Sequence, residues 1–232
     1  MNKFAKKILN QIRNVVFGVE DGLISTLGVL TGIAGGTNNK AIVILTGFVV
    51  VFVEASSMAV GTFLSSKSER QAKVKKLKEE LEKIRENPEK EKLELVEFYK
   101  RRGYSEKEIS MMVKRVSGSE KLILEEMANK ELGISMKREY KTKRGAFYMF
   151  FSYMIGGSIP VLPYFFFSVN IGIVFSIILT SIGLFFLGYY KGWLTGVPKV
   201  KSGLEMFVMA AVVSGLGFAV GKIIGHFIGL VS

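Results

Sequence analysis

A chain of 232 residues with no cysteine and a formal charge of +12 excludes disulfides, thiolate metal sites and thiol nucleophiles together. The excess of base could suggest nucleic acid, but no basic-aromatic reading motif accompanies it. The lysines and arginines instead cluster beside apolar blocks, where they set topology and meet anionic lipid. Five such blocks, approximately 14–36, 41–66, 145–167, 169–191 and 204–230, reach the roughly 20 residues that cross a ~30 Å hydrocarbon core. The predicted fold is an all-α membrane protein: five transmembrane helices, with a helical insert between the second and third.

In chain order, Lys3, Lys6, Lys7 and Arg13 form a basic flank that places the N-terminus in the cytoplasm. The run that follows could mimic a signal peptide. However, Glu20 and Asp21 interrupt it and no small-residue cleavage site follows, so it reads as a retained first span. Gly28, Gly32 and Gly36 recur every four residues and give that span a smooth stripe for close helix packing. A turn at 36–39 leads to the second span, which returns inward to Lys67 and Arg70. Residues 1–66 thus hold two transmembrane helices, 67–144 a cytoplasmic helical domain, and 145–232 three more transmembrane helices ending outside.

The insert begins with a helix continuing out of the second span to Glu86. Asn87-Pro88 supplies a cap and a first-turn proline for the next helix, which Gly103 stops. Ser105 with Glu108 has capping-box spacing, and Ser119 opens a last helix that Gly133 ends. In the third span, Gly156-Gly157 and Pro160-x-x-Pro163 predict either a break lining a cavity or a plain kink before a loop. Tyr189, Tyr190, Lys191 and Trp193 form an interfacial belt at the inner end of the fourth.

Chemistry centres on the acids. Intramembrane acids cost several kcal/mol or more and usually face a bundle interior or a water-filled path. Glu20, Asp21 and Glu54 are therefore candidates for a cation path, while Glu205 lies at the cytoplasmic mouth of the last span. Met58 follows Glu54 by one turn and shares its face; its thioether beside carboxylates suits ferrous iron better than magnesium or calcium, with core packing as the competing reading. In the insert, Glu79, Glu82, Glu86 and, beyond the proline, Glu89 form one row, Glu91, Glu94 and Glu97 a second, and Glu125, Glu126 and Glu131 lie near Met127. Such rows bind metal only where helices bring them together; otherwise they are solvated faces. His226, the single histidine, is expected to be interfacial or packed. No Walker motif, Ser-His-Asp set or two-carboxylate hydrolase arrangement is present, and no cofactor is called for.

Several strings together resemble the vacuolar iron transporter family. They are Arg13-Asn14 through Gly18, Asp21, Gly22 and Leu23; Ser57-Met58 with Gly61; and Lys67-Ser68-Glu69. Further along come Gly156-Gly157 with Pro160, Pro163 and Tyr164, and Ser202-Gly203-Leu204-Glu205. They occur in the family's order and span almost the whole chain. The resemblance implies a homodimer of five-span subunits that exchanges protons for ferrous iron and moves it out of the cytoplasm, with manganese, cobalt or zinc as further bound ions. By motif match, Asp21 and Met58 form the transport site. Glu91, Glu94, Met127 and Glu131 collect metal in the insert, and Glu79, Glu82 and Glu86 are a group from which two or three further ligands come. Asn14, Thr62 and Ala128 depart from the pattern. The membrane is a plasma membrane in a prokaryote, favoured by the lack of an evident targeting extension, or a vacuolar one in a eukaryote. A membrane-anchored metal sensor or scaffold without flux is the alternative.

Overall fold

The computed structural model describes residues 11–130 and 142–227. Among these, nine helices and no strand occur: α1 (Ile12–Thr37), α2 (Lys40–Glu86), α3 (Pro88–Arg101), α4 (Glu106–Ser117), α5 (Glu120–Lys130), α6 (Thr142–Val161), α7 (Pro163–Phe166), α8 (Val169–Thr195) and α9 (Lys199–Phe227). Five segments are long and apolar enough to cross a membrane: α1, α2, α6 with α7, α8 and α9. The protein is thus all-helical and multi-pass. Two compact units divide the chain, Met1–Phe63 with Thr142–Ser232 and Leu64–Lys141.

In the first unit α1 is the central element, packed against α6, α8 and α9. The reason lies in its glycines. A Cβ on Gly217 would stand 2.3 Å from the Gly28 carbonyl oxygen, and one on Gly221 would stand 2.0 Å from that of Gly32. The stripe of Gly28, Gly32 and Gly36 is therefore where α9 lies backbone against backbone, as small residues permit in a membrane. Across the other side of α1, Gly18 and Gly22 meet α6 near Ser152, Tyr153, Gly156 and Gly157.

That contact corrects the reading of the third span. Gly156 and Gly157 do not break α6, which stays helical from Thr142 to Val161. A side chain at Gly156 would come within 2.4 Å of the Val19 carbonyl oxygen, so the pair exists for close approach. The deviation comes after Pro160, with Pro163 starting the short α7. The Pro160 carbonyl is not left bare, because Ser176 Oγ donates to it at 2.8 Å.

The turn between α1 and α2 is built by two asparagines. Asn38 takes the left-handed conformation (φ 46°) that ends α1. Asn39 Oδ1 then accepts from the Ala41 and Ile42 amides at 3.0 and 3.2 Å, capping α2. Lys40 Nζ donates to the Phe165 carbonyl at 3.1 Å.

The second unit holds the end of α2 with α3, α4 and α5. Reciprocal side-chain-to-amide hydrogen bonds between Ser105 and Glu108 close the capping box. Asn87, by contrast, makes no side-chain cap bond, and α3 starts on Pro88 alone, whose fixed φ suits a first turn. Gly103 has φ 83° after α3 ends. The core is one cluster of Ile84, Leu95, Tyr99, Ile109, Val116, Ile123, Leu124 and Met127. Each fully buried aliphatic side chain contributes about 1.5–3 kcal/mol. Glu131 and Gly133 lie outside the described residues, as do Lys3, Lys6 and Lys7.

Candidate functional site

Within the apolar unit the acids do not act as one group. Asp21 sits half-buried on α1, with the charge of Glu54 on α2 as its electrostatic neighbour. Glu54 is exposed on the surface of the chain, and Met58, one turn further along the same face, is half-buried. Glu20, about 100° around α1 from Asp21, feels Lys191 and lines a separate cavity of about 810 Å³ with Lys191, Lys201, Glu205 and Met206.

Beside Asp21 stands a hydroxyl chain that sequence reading missed. Tyr153 of α6 is fully buried, and its phenol lies within electrostatic reach of both Asp21 and Glu54. Its Oη is 2.6 Å from Ser25 Oγ, and Ser25 Oγ donates to the Asp21 backbone carbonyl at 2.6 Å. A serine hydroxyl has one proton to give. With that proton on the Asp21 carbonyl, the phenol donates to Ser25, and the phenolic lone pairs are left to accept. Thr26, buried, lies alongside. A tyrosine and a serine in apolar spans carry no distinctive spacing, so the signal is the close α1–α6 seam that Gly18, Gly22, Gly156 and Gly157 create.

Two of the departures noted in the sequence, Asn14 and Thr62, both lie against Gly145 of α6. A Cβ on Gly145 would approach Asn14 Nδ2 at 2.9 Å and Thr62 Cγ2 at 3.5 Å, and Asn14 itself donates to Gln11 Oε1 at 2.7 Å.

In the second unit the acids sort by burial. Glu79 and Glu94 are paired at 3.6 Å with Lys75 and Lys90, and Glu82 and Glu86 are exposed. Glu91 is buried, as is Met127 in the core cluster. Among the described residues the other buried acid is Glu80, absent from the predicted set. Its signal was legible: Leu77, Leu81 and Ile84 make an apolar stripe on which Glu80 falls, just as Glu91 precedes Leu95 and Tyr99 by one and two turns. Glu126 accepts from Tyr99 Oη at 3.4 Å. Ala128 is fully buried beside Met127. Among the described residues, no three histidine, cysteine, aspartate or glutamate side chains gather closely enough to hold a metal ion.

Outside the membrane spans, the shifted carboxyls have local causes. A hydrogen bond from Arg85 holds Glu120 below the usual carboxylate range, and one from Arg101 does the same for Glu97. Glu108 is lowered by the Ser105 hydroxyl and amide.

The VIT family profile matches residues 12–222, nearly the whole of the chain. The chain belongs to the VIT family. Vacuolar iron transporter 1 of Arabidopsis thaliana is 31% identical over 216 residues, 93% of this chain and 86% of the plant protein. Vacuolar iron transporter 1 of Eucalyptus grandis is 31% identical over 212 residues, covering 91% and 85%. The vacuolar iron transporter of Plasmodium berghei is 26% identical over 226 residues, covering 93% and 82%. The match of this VIT chain begins at the first residue of α1 and ends within α9, so it takes in both units.

Proposed function

We propose that this VIT protein is a homodimeric secondary transporter that moves ferrous iron out of the cytoplasm in exchange for protons. Manganese, cobalt and zinc are further ions it would bind. The observation that carries the reading is the pair Asp21 and Glu54, two acids on apolar helices with Glu54 near enough for its charge to reach Asp21. Each charged acid at mid-membrane costs about 2.5–3.5 kcal/mol on insertion scales. Together they hold a charge of two, which one divalent cation or two protons neutralises equally. Metal and protons compete for the pair, and that competition couples the flows without ATP.

Further roles belong to the same proposal. Asp21 and Met58 are the proposed transport ligands, and Glu54 is the second proton or metal ligand. Tyr153, oriented by its donation to Ser25, offers a neutral oxygen to the carboxyl proton or to a hydrated ion. Glu54 is exposed on the single chain in a segment that otherwise bears exposed Phe48, Val49, Phe52 and Val53. An acid so placed needs cover from lipid, and a second copy provides it. Glu91, Glu94, Met127 and Glu131 are proposed to collect metal in the polar unit, to which burial adds Glu80. The N-terminus and the polar unit are placed in the cytoplasm by the basic flanks, with the C-terminus outside.

Ferrous uptake into proteoliposomes, with and without an imposed proton gradient, tests the reading. Gradient-driven uptake is expected for the native chain and none above background for Asp21→Ala, with the variant still folded and dimeric by size-exclusion chromatography. Full uptake in Asp21→Ala sinks the proposed site, and binding without flux in the native chain makes the protein a scaffold.

A further inference from the structure

We propose that the Lys83 ammonium is a tethered counter-cation seated on the Glu80 carboxylate, which an incoming divalent metal must displace, so that Lys83 sets the metal concentration at which the polar unit loads. The inference rests on the reading of that unit as metal-binding.

Glu80 and Glu91 are the two charged residues buried among the described residues, 1% and 3% exposed. The Glu80 Oε2 accepts from Lys83 Nζ at 3.1 Å, while Oε1 is buried and accepts no hydrogen bond. An ionised carboxylate has about four acceptor positions. A buried carboxylate with one oxygen unserved is costly, and a buried ion pair is weak evidence for stability. The stripe of Leu77, Leu81 and Ile84 would be completed better by an apolar residue at 80. The unserved oxygen points to a ligand that satisfies both oxygens, and a hard cation is the group that does so.

Lys83 is the wrong shape for a permanent lock. Its side chain is 59% exposed against 2% for that of Glu80, so the ammonium reaches in from water on a flexible stem. Arginine would fork onto both oxygens, whereas lysine is a hydrated point charge that serves one. Charge accounting gives the same result. Glu80 with Lys83 is neutral, so a divalent ion arriving at Glu80 meets no net attraction until the ammonium swings back to solvent. The lysine therefore competes with metal at this site and does not assist it.

The test is Mn2+ titration of the full-length protein in detergent, read by the electron paramagnetic resonance signal of the free ion. An Asp21→Ala background removes the transmembrane site. Lys83→Gln is expected to tighten Mn2+ binding about tenfold, the scale of losing one nearby like charge. Lys83→Arg, which keeps the charge, is expected to bind no more tightly than the native chain. Glu80→Gln is expected to lose one bound ion per chain. Unchanged affinity in Lys83→Gln, with Glu80→Gln still losing its ion, overturns the role of Lys83 and leaves the metal site standing. Weakened binding in Lys83→Gln makes the lysine a support and equally overturns the proposal. Identical binding by the native chain and Glu80→Gln removes the metal reading of Glu80 itself, and the role of Lys83 with it.

Discussion

The two units of this VIT chain treat acids in opposite ways. In the polar unit most of the described glutamates are exposed, several of them ion-paired with lysine or arginine at modest gain, and the costly ones are Glu80 and Glu91, buried beside the apolar cluster. In the apolar unit the order reverses. Glu54, exposed on the chain surface, stands where lipid or another subunit would meet it, and Asp21, half-buried, has Tyr153 and Ser25 beside it. Exposure is cheap for an acid in water and expensive in hydrocarbon. The informative acid is therefore the buried one in the first medium and any acid at all in the second.

The comparison is broken most forcefully at the seam that sets the membrane site. Gly156→Val would place a Cβ 2.4 Å from the Val19 carbonyl oxygen, and neither backbone can give way without parting α1 from α6. Overpacking against side chains costs about 1–3 kcal/mol, and a clash between backbones exceeds that range. The expected outcome is loss of monodisperse protein, or a thermal midpoint lowered by more than about 10 °C. Gly215→Ala on α9, where no atom lies within 4 Å, is expected to melt like the native protein. Equal melting of both variants would mean that close packing does not hold the Asp21 face in place.

Tyr153→Phe sharpens the same comparison with a smaller effect. The ring stays, so the packing of a fully buried side chain is kept, but Ser25 loses its donor and the Asp21 site loses a neutral oxygen. Stability is expected to fall by about 1 kcal/mol, the usual worth of one hydrogen bond. Ferrous flux is expected to fall about tenfold, a change equivalent to about 1.4 kcal/mol in the barrier. Native flux with reduced stability would make Tyr153 a packing residue only.

What the sequence made legible follows from the same contrast of media. The five spans and the long α2 are visible because composition alone reports a lipid environment, and the Ser105–Glu108 box because its spacing has a single geometric meaning. Gly156-Gly157 was ambiguous. Glycine signals close approach as well as breakage, and only the partner backbone at Val19 decides between them. Asn87 has the right identity for a cap yet makes no side-chain cap bond, its backbone at φ −144° and ψ 67° lying off the extended conformation that aims a cap oxygen at the first-turn amides. Glu80 was hidden among Glu79, Glu82 and Glu86 because acids were grouped by their spacing from one another, and not by their register on the Leu77–Ile84 stripe. Tyr153 and Ser25 could not be read, because their pairing crosses 128 positions.

The smallest effect expected lies wholly in the polar unit and depends on pH. Glu120, in the first turn of α5, accepts from Arg85 Nε and, at 3.2 Å, from Arg85 Nη2 near the end of α2. The guanidinium holds the Glu120 carboxyl below its ordinary value in the folded state. A depressed carboxyl contributes stability above its unfolded value, near 4.3, and loses that contribution as pH falls through the lower folded value. Hydrogen exchange of the α5 amides, corrected for intrinsic rates, is therefore expected to be slower in the native chain than in Glu120→Gln at pH 7. The two should converge below about pH 4 as the carboxyl protonates. The pair is exposed and screened by salt, so the difference at pH 7 should also shrink in 0.5 M salt, roughly where the Debye length falls under about 5 Å. A difference indifferent to both acid and salt would mean that Glu120 acts on α5 through the helix terminus rather than through Arg85.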